Sequence, residues 1–263
     1  MSEEPSVLTK ADGPVLIVTI NRPDRRNAVD SAAAKTLFET FQKFDDDKDL
    51  SVAILTGAGS NFCAGADLKA LASGDQRELA EDKTAVNTLA PMGPTRMRLS
   101  KPVIAAVEGF AVAGGIELAL WCDLRVAAEG ATFGVFCRRF GVPLIDLGTV
   151  RLPRLIGHSR AMDMILTGRS VDAREALEFG LANRLAPKGK ALHTALGLAK
   201  DLAALPQGCL KNDRLSALEQ WDLSEDEAMR NEMRRGLQTI SSGETLSGAA
   251  AFTGGAGRGG QKR

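Results

Sequence analysis

Tyrosine is absent from this 263-residue chain, and tryptophan (Trp121, Trp221) and histidine (His158, His193) each occur only twice. So few large aromatic rings leave little from which to build an aromatic cage around a substrate. Two histidines without a paired-ligand pattern point to surface or helix-end residues rather than metal ligands or catalytic bases. Cys63, Cys122, Cys137 and Cys209 show neither a CxxC pair nor metal-site spacing, so each reads as a reduced, small packing residue. Net charge is absent too: 33 basic residues balance 33 acidic ones. No global field therefore draws in nucleic acid or an anionic membrane, and neither is expected as a partner. No stretch approaches the roughly 20 consecutive apolar residues that a membrane span needs. The first ten residues, MSEEPSVLTK, are acidic and lack an apolar run, so no secretory signal is expected and the chain is placed in the cytoplasm.

What is present suits a globular enzyme, with 44% hydrophobic and 25% charged residues. The length allows one large domain, or one with a small appendage. Short apolar runs at 15–20, 52–56, 103–107 and 124–128 read as buried strands. Between the first two, 31–44 carries apolar residues at helical spacing behind Asp30, a good N-cap. The alternation predicts an α/β fold with largely parallel strands. From about 158 onward strands are expected to disappear. Helices are predicted at 159–166, 173–179, 190–205 and 210–220, broken at Gly168, Gly180 and Pro206. The natural division is a core at 1–198 and a helical region at 199–263, whose glycine-rich tail GGAGRGGQKR is expected to be disordered.

The segment 105–128, AAVEGFAVAGGIELALWCDLRVAA, reads as strand, glycine-rich turn, short helix and second strand. The N–H groups opening a helix lack intrahelical partners, and the helix dipole places about half a positive charge there. Gly114 N–H is thus positioned to hold a developing oxyanion, with Glu117 one turn away as a carboxylate for proton transfer beside a carbonyl. The same residues also serve as a packing turn followed by an ordinary first-turn acid. Segment 51–69, SVAILTGAGSNFCAGADLK, repeats the design and puts Ala66 N–H at a second helix start, with Gly65 permitting close approach. Two such donors can converge on one oxygen, and losing one typically costs about 3–4 kcal/mol of transition-state stabilisation.

With NRPDRRNAV at 21–29, FCAGADL at 62–68, KPVIAAVEGFAVAGGIELAL at 101–120, GTVRLPRLIG at 148–157 and LTGR at 166–169, the chain resembles the enoyl-CoA hydratase/isomerase (crotonase) superfamily from about residue 7 to 252. The resemblance implies a spiral of ββα units with a helical C-terminal region that packs trimers, as a homotrimer or a dimer of trimers. It implies an acyl-CoA thioester substrate, with coenzyme A part of that substrate and no separate cofactor or metal. An oxyanion hole of Ala66 and Gly114 would stabilise a thioester enolate. Arg25 and Arg26 would meet the CoA phosphates, as forked donors suit phosphate, the alternative being a solvated charge cluster. Ala28, Ala64, Asp67, Leu68 and Lys69 would flank the CoA path, and Lys69 also reads as an exposed helix lysine. Phe252 would either touch a neighbouring subunit's CoA or pack its own helix.

At 133–149, FGVFCRRFGVPLIDLGT, the chain departs from the pattern. Hydratases of this superfamily use two glutamates on one water. The first matches Glu117, but Cys137 stands where the second belongs, and a thiol replaces a carboxylate only with a strongly lowered pKa. Arg138 and Arg139 are the residues able to lower it. Asp146 resembles in position the catalytic aspartate of dienoyl-CoA isomerases and, roughly, the nucleophile of aroyl-CoA dehalogenases. It also reads as a turn-forming Asp before glycine. The expected activity is enoyl-CoA hydration in fatty-acid metabolism, with Glu117 and Asp146 catalytic. The alternatives are double-bond isomerisation without hydration, hydrolysis or dehalogenation with Asp146 as nucleophile, and a non-catalytic acyl-CoA binder. The segment 72–95 is expected to shape the acyl pocket.

Overall fold

The structure is a computed structural model that describes residues 4–75, 77 and 79–257. The disorder expected of the tail falls on 258–263, outside the described residues, while 254–257 form turns. Strands β1 (Val7–Asp12) and β2 (Val15–Ile20) make an antiparallel hairpin. Strands β3 (Val52–Gly57), β4 (Val103–Val107), β6 (Leu124–Ala128) and β9 (Arg184–Ala186) then add in parallel, giving the order β1-β2-β3-β4-β6-β9. A second small sheet stands beside it, with β7 (Thr132–Gly134) between β5 (Phe110–Val112) and β8 (Ser170–Asp172).

The apolar runs are continuous because the main sheet is covered on both faces. Along β3, Ala53 and Leu55 face α1 (Ser31–Asp46) and its Leu37, Phe41 and Phe44. Val52 and Ile54 face the other way, onto Ala191, Ala195 and Ala199 of α7 (Ala191–Ala203). Small residues at every fourth position let α7 lie close to the sheet, and the division placed at 198 falls inside this helix. Asp30 caps α1 as expected, its carboxylate accepting from Ala33 N–H at 2.9 Å.

The remaining helices are α2 (Leu68–Ala72), α3 (Gly114–Trp121), α4 (Gly148–Ile156), α5 (His158–Thr167), α6 (Ala173–Glu178), α8 (Gln207–Glu219), α9 (Glu225–Ser241) and α10 (Glu244–Thr253). Two expectations need correction. Strands do not end near 158: β8 and β9 follow, each only three residues long and carrying charged positions, too short to show an apolar run. Cys63, Cys122 and Cys137 are buried, but Cys209 is exposed on α8, its thiol donating to Asp213 Oδ2 at 3.7 Å. Both histidines are exposed, and His158 opens α5. Among the described residues no helix is long and apolar enough to cross a membrane.

Candidate active site

Two strand-to-helix turns meet over a cavity of about 450 Å³. In the first, residues 63–67 run beside Val29: Val29 N–H donates to Gly65 O at 2.8 Å, and Asp67 N–H to Val29 O at 2.9 Å. Alternate groups of an extended segment face opposite ways. With Gly65 O and Asp67 N–H turned toward Val29, Ala66 N–H faces the cavity. In the second turn, Ala113 N–H is held by Gly134 O at 2.9 Å, and Gly114 begins α3 with an N–H that has no intrahelical acceptor. Among the described residues neither Ala66 N–H nor Gly114 N–H donates to a protein acceptor.

The two turns are pressed together. A Cβ on Gly65 would lie 2.9 Å from Gly114 N and 2.8 Å from Ala113 Cβ, and one on Gly115 would lie 2.0 Å from Cys63 O. Only hydrogen at these positions lets the two helix starts approach. Ala113 itself is held at φ 53°, ψ −127°, a conformation that side-chain-bearing residues rarely adopt and that persists only where neighbours enforce it.

Glu117 is buried in the first turn of α3 and reaches the cavity. Its Oε1 accepts the N–H groups of Asp146 (2.9 Å) and Gly148 (2.8 Å). Leu147 between them has φ 69°, and this left-handed residue lets two N–H groups, one on either side, aim at one oxygen. Burial, and then the Asp146 carboxylate, push the Glu117 pKa up to about 8 despite those two donors. Asp146 is also buried, and its Oδ1 accepts Met92 N–H at 2.9 Å and the Thr95 hydroxyl. Burial raises its pKa as well, opposed by those hydrogen bonds and by the charges of Arg96 and Arg77. Each carboxyl is thus anchored through one oxygen, and among the described residues no protein donor engages Glu117 Oε2 or Asp146 Oδ2. Neither of those oxygens is a buried orphan, so both open to the cavity.

Cys137 lines the same cavity, but burial and the nearby Glu117 raise its pKa. Arg138 acts against this without reversing it, and the two arginines donate to Ile165 O at 3.2 Å and Gly168 O at 2.6 Å. Ala64, Ala66, Leu68, Gly114, Glu117 and Asp146 all line the cavity. Asp67 does not. Its Oδ1 caps α2 through Lys69 and Ala70 N–H, both at 3.1 Å, and its Oδ2 accepts Arg22 Nη2 at 3.0 Å. Lys69 is exposed on α2, and Ala28 is buried behind the turn with its carbonyl on Arg22 Nη1. Arg25 and Arg26 are exposed outside the cavity, with Arg26 over the Phe110 ring at 5.8 Å.

Three contributors escape sequence reasoning. Met92 and Thr95 anchor Asp146, and Arg77 bridges the walls, with Nη1 on Pro91 O at 2.8 Å and Nη2 on Val29 O. All three lie in 72–95, where no periodicity marks a role. Arg77, Leu79, Pro91 and Met92 of that segment line the cavity.

Residues 10–254 match the family described as Enoyl-CoA hydratase/isomerase. This chain belongs to that family. Enoyl-CoA hydratase EchA19 of Mycobacterium tuberculosis is 36% identical over 255 residues, covering 94% of this chain and 93% of that protein. A carnitinyl-CoA dehydratase of Salmonella arizonae is 35% identical over 260 residues, 96% of each. The crystal structure of enoyl-CoA hydratase EchA1 from Mycobacterium marinum superposes with a TM-score of 0.88 at 38% identity, covering 95% of this chain and 96% of that one. As a member of the enoyl-CoA hydratase/isomerase family, the protein has the crotonase fold, with α8, α9 and α10 forming its C-terminal helical region.

Proposed function

We propose that this enzyme hydrates a 2-enoyl-CoA thioester, with Glu117 and Asp146 as the proton-handling pair. The observation that carries this reading is the arrangement of four groups around one cavity: two free N–H donors, and two carboxyls each offering one unengaged oxygen. The thioester carbonyl sits on Ala66 and Gly114 N–H, which accept the negative charge that grows on its oxygen. A water held between the carboxyls adds to the third carbon and gives its proton to the Asp146 carboxylate. Glu117, protonated at neutral pH because its pKa is raised to about 8, delivers a proton to the carbon beside the carbonyl. Glu117 as the acid and Asp146 as the base supply the two proton-handling roles together.

The CoA portion enters as part of the substrate. Arg25 and Arg26 meet its phosphates, and Ala64, Leu68 and Lys69 flank its path, while Asp67 and the Ala28 carbonyl hold that turn in shape through Arg22. Exposed apolar side chains on α9 (Met229, Met233, Leu237 and Ile240) suit packing against further copies as a trimer or a dimer of trimers. A cytoplasmic role in fatty-acid metabolism completes the reading.

Cys137 favours a second reading, since double-bond migration needs only one well-placed carboxylate and a water base is then superfluous. Product analysis in heavy-oxygen water with 2-enoyl, 3-enoyl and dienoyl thioesters separates the two. Label in a 3-hydroxyacyl product is expected. Shifted unsaturation without label would establish isomerisation, and binding without turnover would establish a non-catalytic protein.

A further inference from the structure

The cavity is larger than the reacting group requires. Counting each carbon at about the 30 Å³ a water molecule occupies, a four-carbon acyl group fills roughly 120 Å³ of a 450 Å³ cavity whose Ala64 and Leu68 side is left to the CoA arm. The surplus has a consistent chemistry. Among the described lining residues the charged side chains are Glu117, Asp146 and Arg77, and the remaining walls, including Leu71, Phe136 and Val142, are apolar. At the rim, Leu79, Phe140 and Ile145 line the same cavity while exposing 60%, 71% and 42% of their surface. These three come from separate segments, and apolar surface gathered this way at the mouth of a cavity is stabilised when something apolar covers it.

Arg77 narrows the class of occupant further. Its Nη1 and Nη2 donate to the Pro91 and Val29 carbonyls and its Nε faces Asp75 Oδ2 at 3.8 Å, so all three nitrogens are directed at the protein and none presents a fork to a carboxylate on the acyl group. Its charge is met by Asp75, and Glu117 and Asp146 are taken up by the reaction, so no carboxylate is left to pair with a cationic acyl group. A polar tail finds no other side-chain partner on the described walls.

We infer that the acyl group of the substrate is uncharged and apolar, and long enough to leave the cavity and cover Leu79, Phe140 and Ile145, roughly eight or more carbons rather than four. This rests on the enoyl-CoA reading. It separates the protein from its relative named carnitinyl-CoA dehydratase, whose acyl group carries a quaternary ammonium.

The test compares kcat/KM for three thioesters: 2-enoyl-CoA of four carbons, 2-enoyl-CoA of ten carbons, and a four-carbon 2-enoyl-CoA ending in trimethylammonium. Each buried methylene contributes up to about fourfold. The ten-carbon substrate should therefore exceed the four-carbon one at least tenfold, with the cationic substrate below both. Phe140→Ser and Leu79→Ser, at exposed positions that do not hold the fold, should each lower the ten-to-four ratio at least threefold. Equal rates on four and ten carbons, preference for the cation, or a ratio unmoved in both variants would overturn the inference and leave the hydratase reading standing. Absence of turnover on every enoyl thioester would overturn both.

Discussion

Gly148→Ala isolates the positioning of Glu117 from the stability of the fold. A Cβ at 148 would lie 2.7 Å from Glu117 Oε1, 2.9 Å from its Cγ and 3.1 Å from its Cδ. Ordinary non-bonded contact between carbons is about 3.5–4.0 Å, so the carboxyl must retreat by roughly half an ångström or more. That movement lengthens the hydrogen bonds from Asp146 N–H (2.9 Å) and Gly148 N–H (2.8 Å) that fix Oε1. A misplacement approaching 1 Å costs on the order of 10²-fold in rate, so kcat should fall about 10- to 100-fold. The backbone tolerates alanine, because Gly148 opens α4 without a positive φ. Helix propensity returns up to about 1 kcal/mol against an overpacking cost of about 1–3 kcal/mol. At about 2–4 °C per kcal/mol for a chain of this size, Tm should drop by less than roughly 8 °C. Turnover is followed by loss of enoyl absorbance and Tm by calorimetry. Gly115→Ala is the contrasting control: its Cβ would strike the Cys63 carbonyl at 2.0 Å, backbone that cannot swing aside, and Tm should fall further. Wild-type kcat in Gly148→Ala would refute the placement of Glu117.

Stability should also depend on pH through Glu117. Folded, the carboxyl keeps its proton to about pH 8 because it is buried beside Asp146, whereas its ordinary pKa is 4.5. Between those values the folded state binds more protons than the unfolded one, so stability falls as pH rises through the window and then levels. Glu117→Gln should therefore show a Tm advantage over wild type that grows from pH 4.5 to 8 in a thermal-melt series, and kcat of the wild type should decline above about pH 8 as the acid form is lost. Arg77→Met removes the ties to Val29 and Pro91 and a charge that lowers the Asp146 pKa. In that variant kcat should fall roughly tenfold and the acid limb of its pH profile should move to higher pH, with Arg77→Lys returning the limb toward wild type.

Much of this architecture is legible along the chain because its determinants are local. Strands β2, β3, β4 and β6 are buried on both faces and therefore read as unbroken apolar runs, and Asp30 announces α1 by its capping chemistry. The two glycine-bearing turns over the cavity are legible for the same reason: GADL and AGGIEL place glycines and helix starts side by side in sequence. Strands β8 and β9 escape because three residues carry too little pattern. Met92, Thr95 and Arg77 escape because their roles exist only through contacts with residues well removed in sequence, as in the hydrogen bond from Met92 N–H to Asp146. Asp67 shows the opposite case. Its place beside Ala66 suggests a substrate contact, yet a carboxylate preceding a helix and facing Arg22 is fully occupied by the fold.

The central claim is that Ala66 and Gly114 N–H grip one thioester oxygen while Glu117 handles a proton beside it. Its most direct test is the infrared carbonyl stretch of a 2-enoyl-CoA carrying carbon-13 at the thioester carbonyl, bound to the Glu117→Gln variant so that no turnover intervenes. Two strong donors polarise the bond, and the account predicts a band shifted clearly to lower frequency than in water. A bound thioester whose carbonyl band stays at or above its position in water would contradict it.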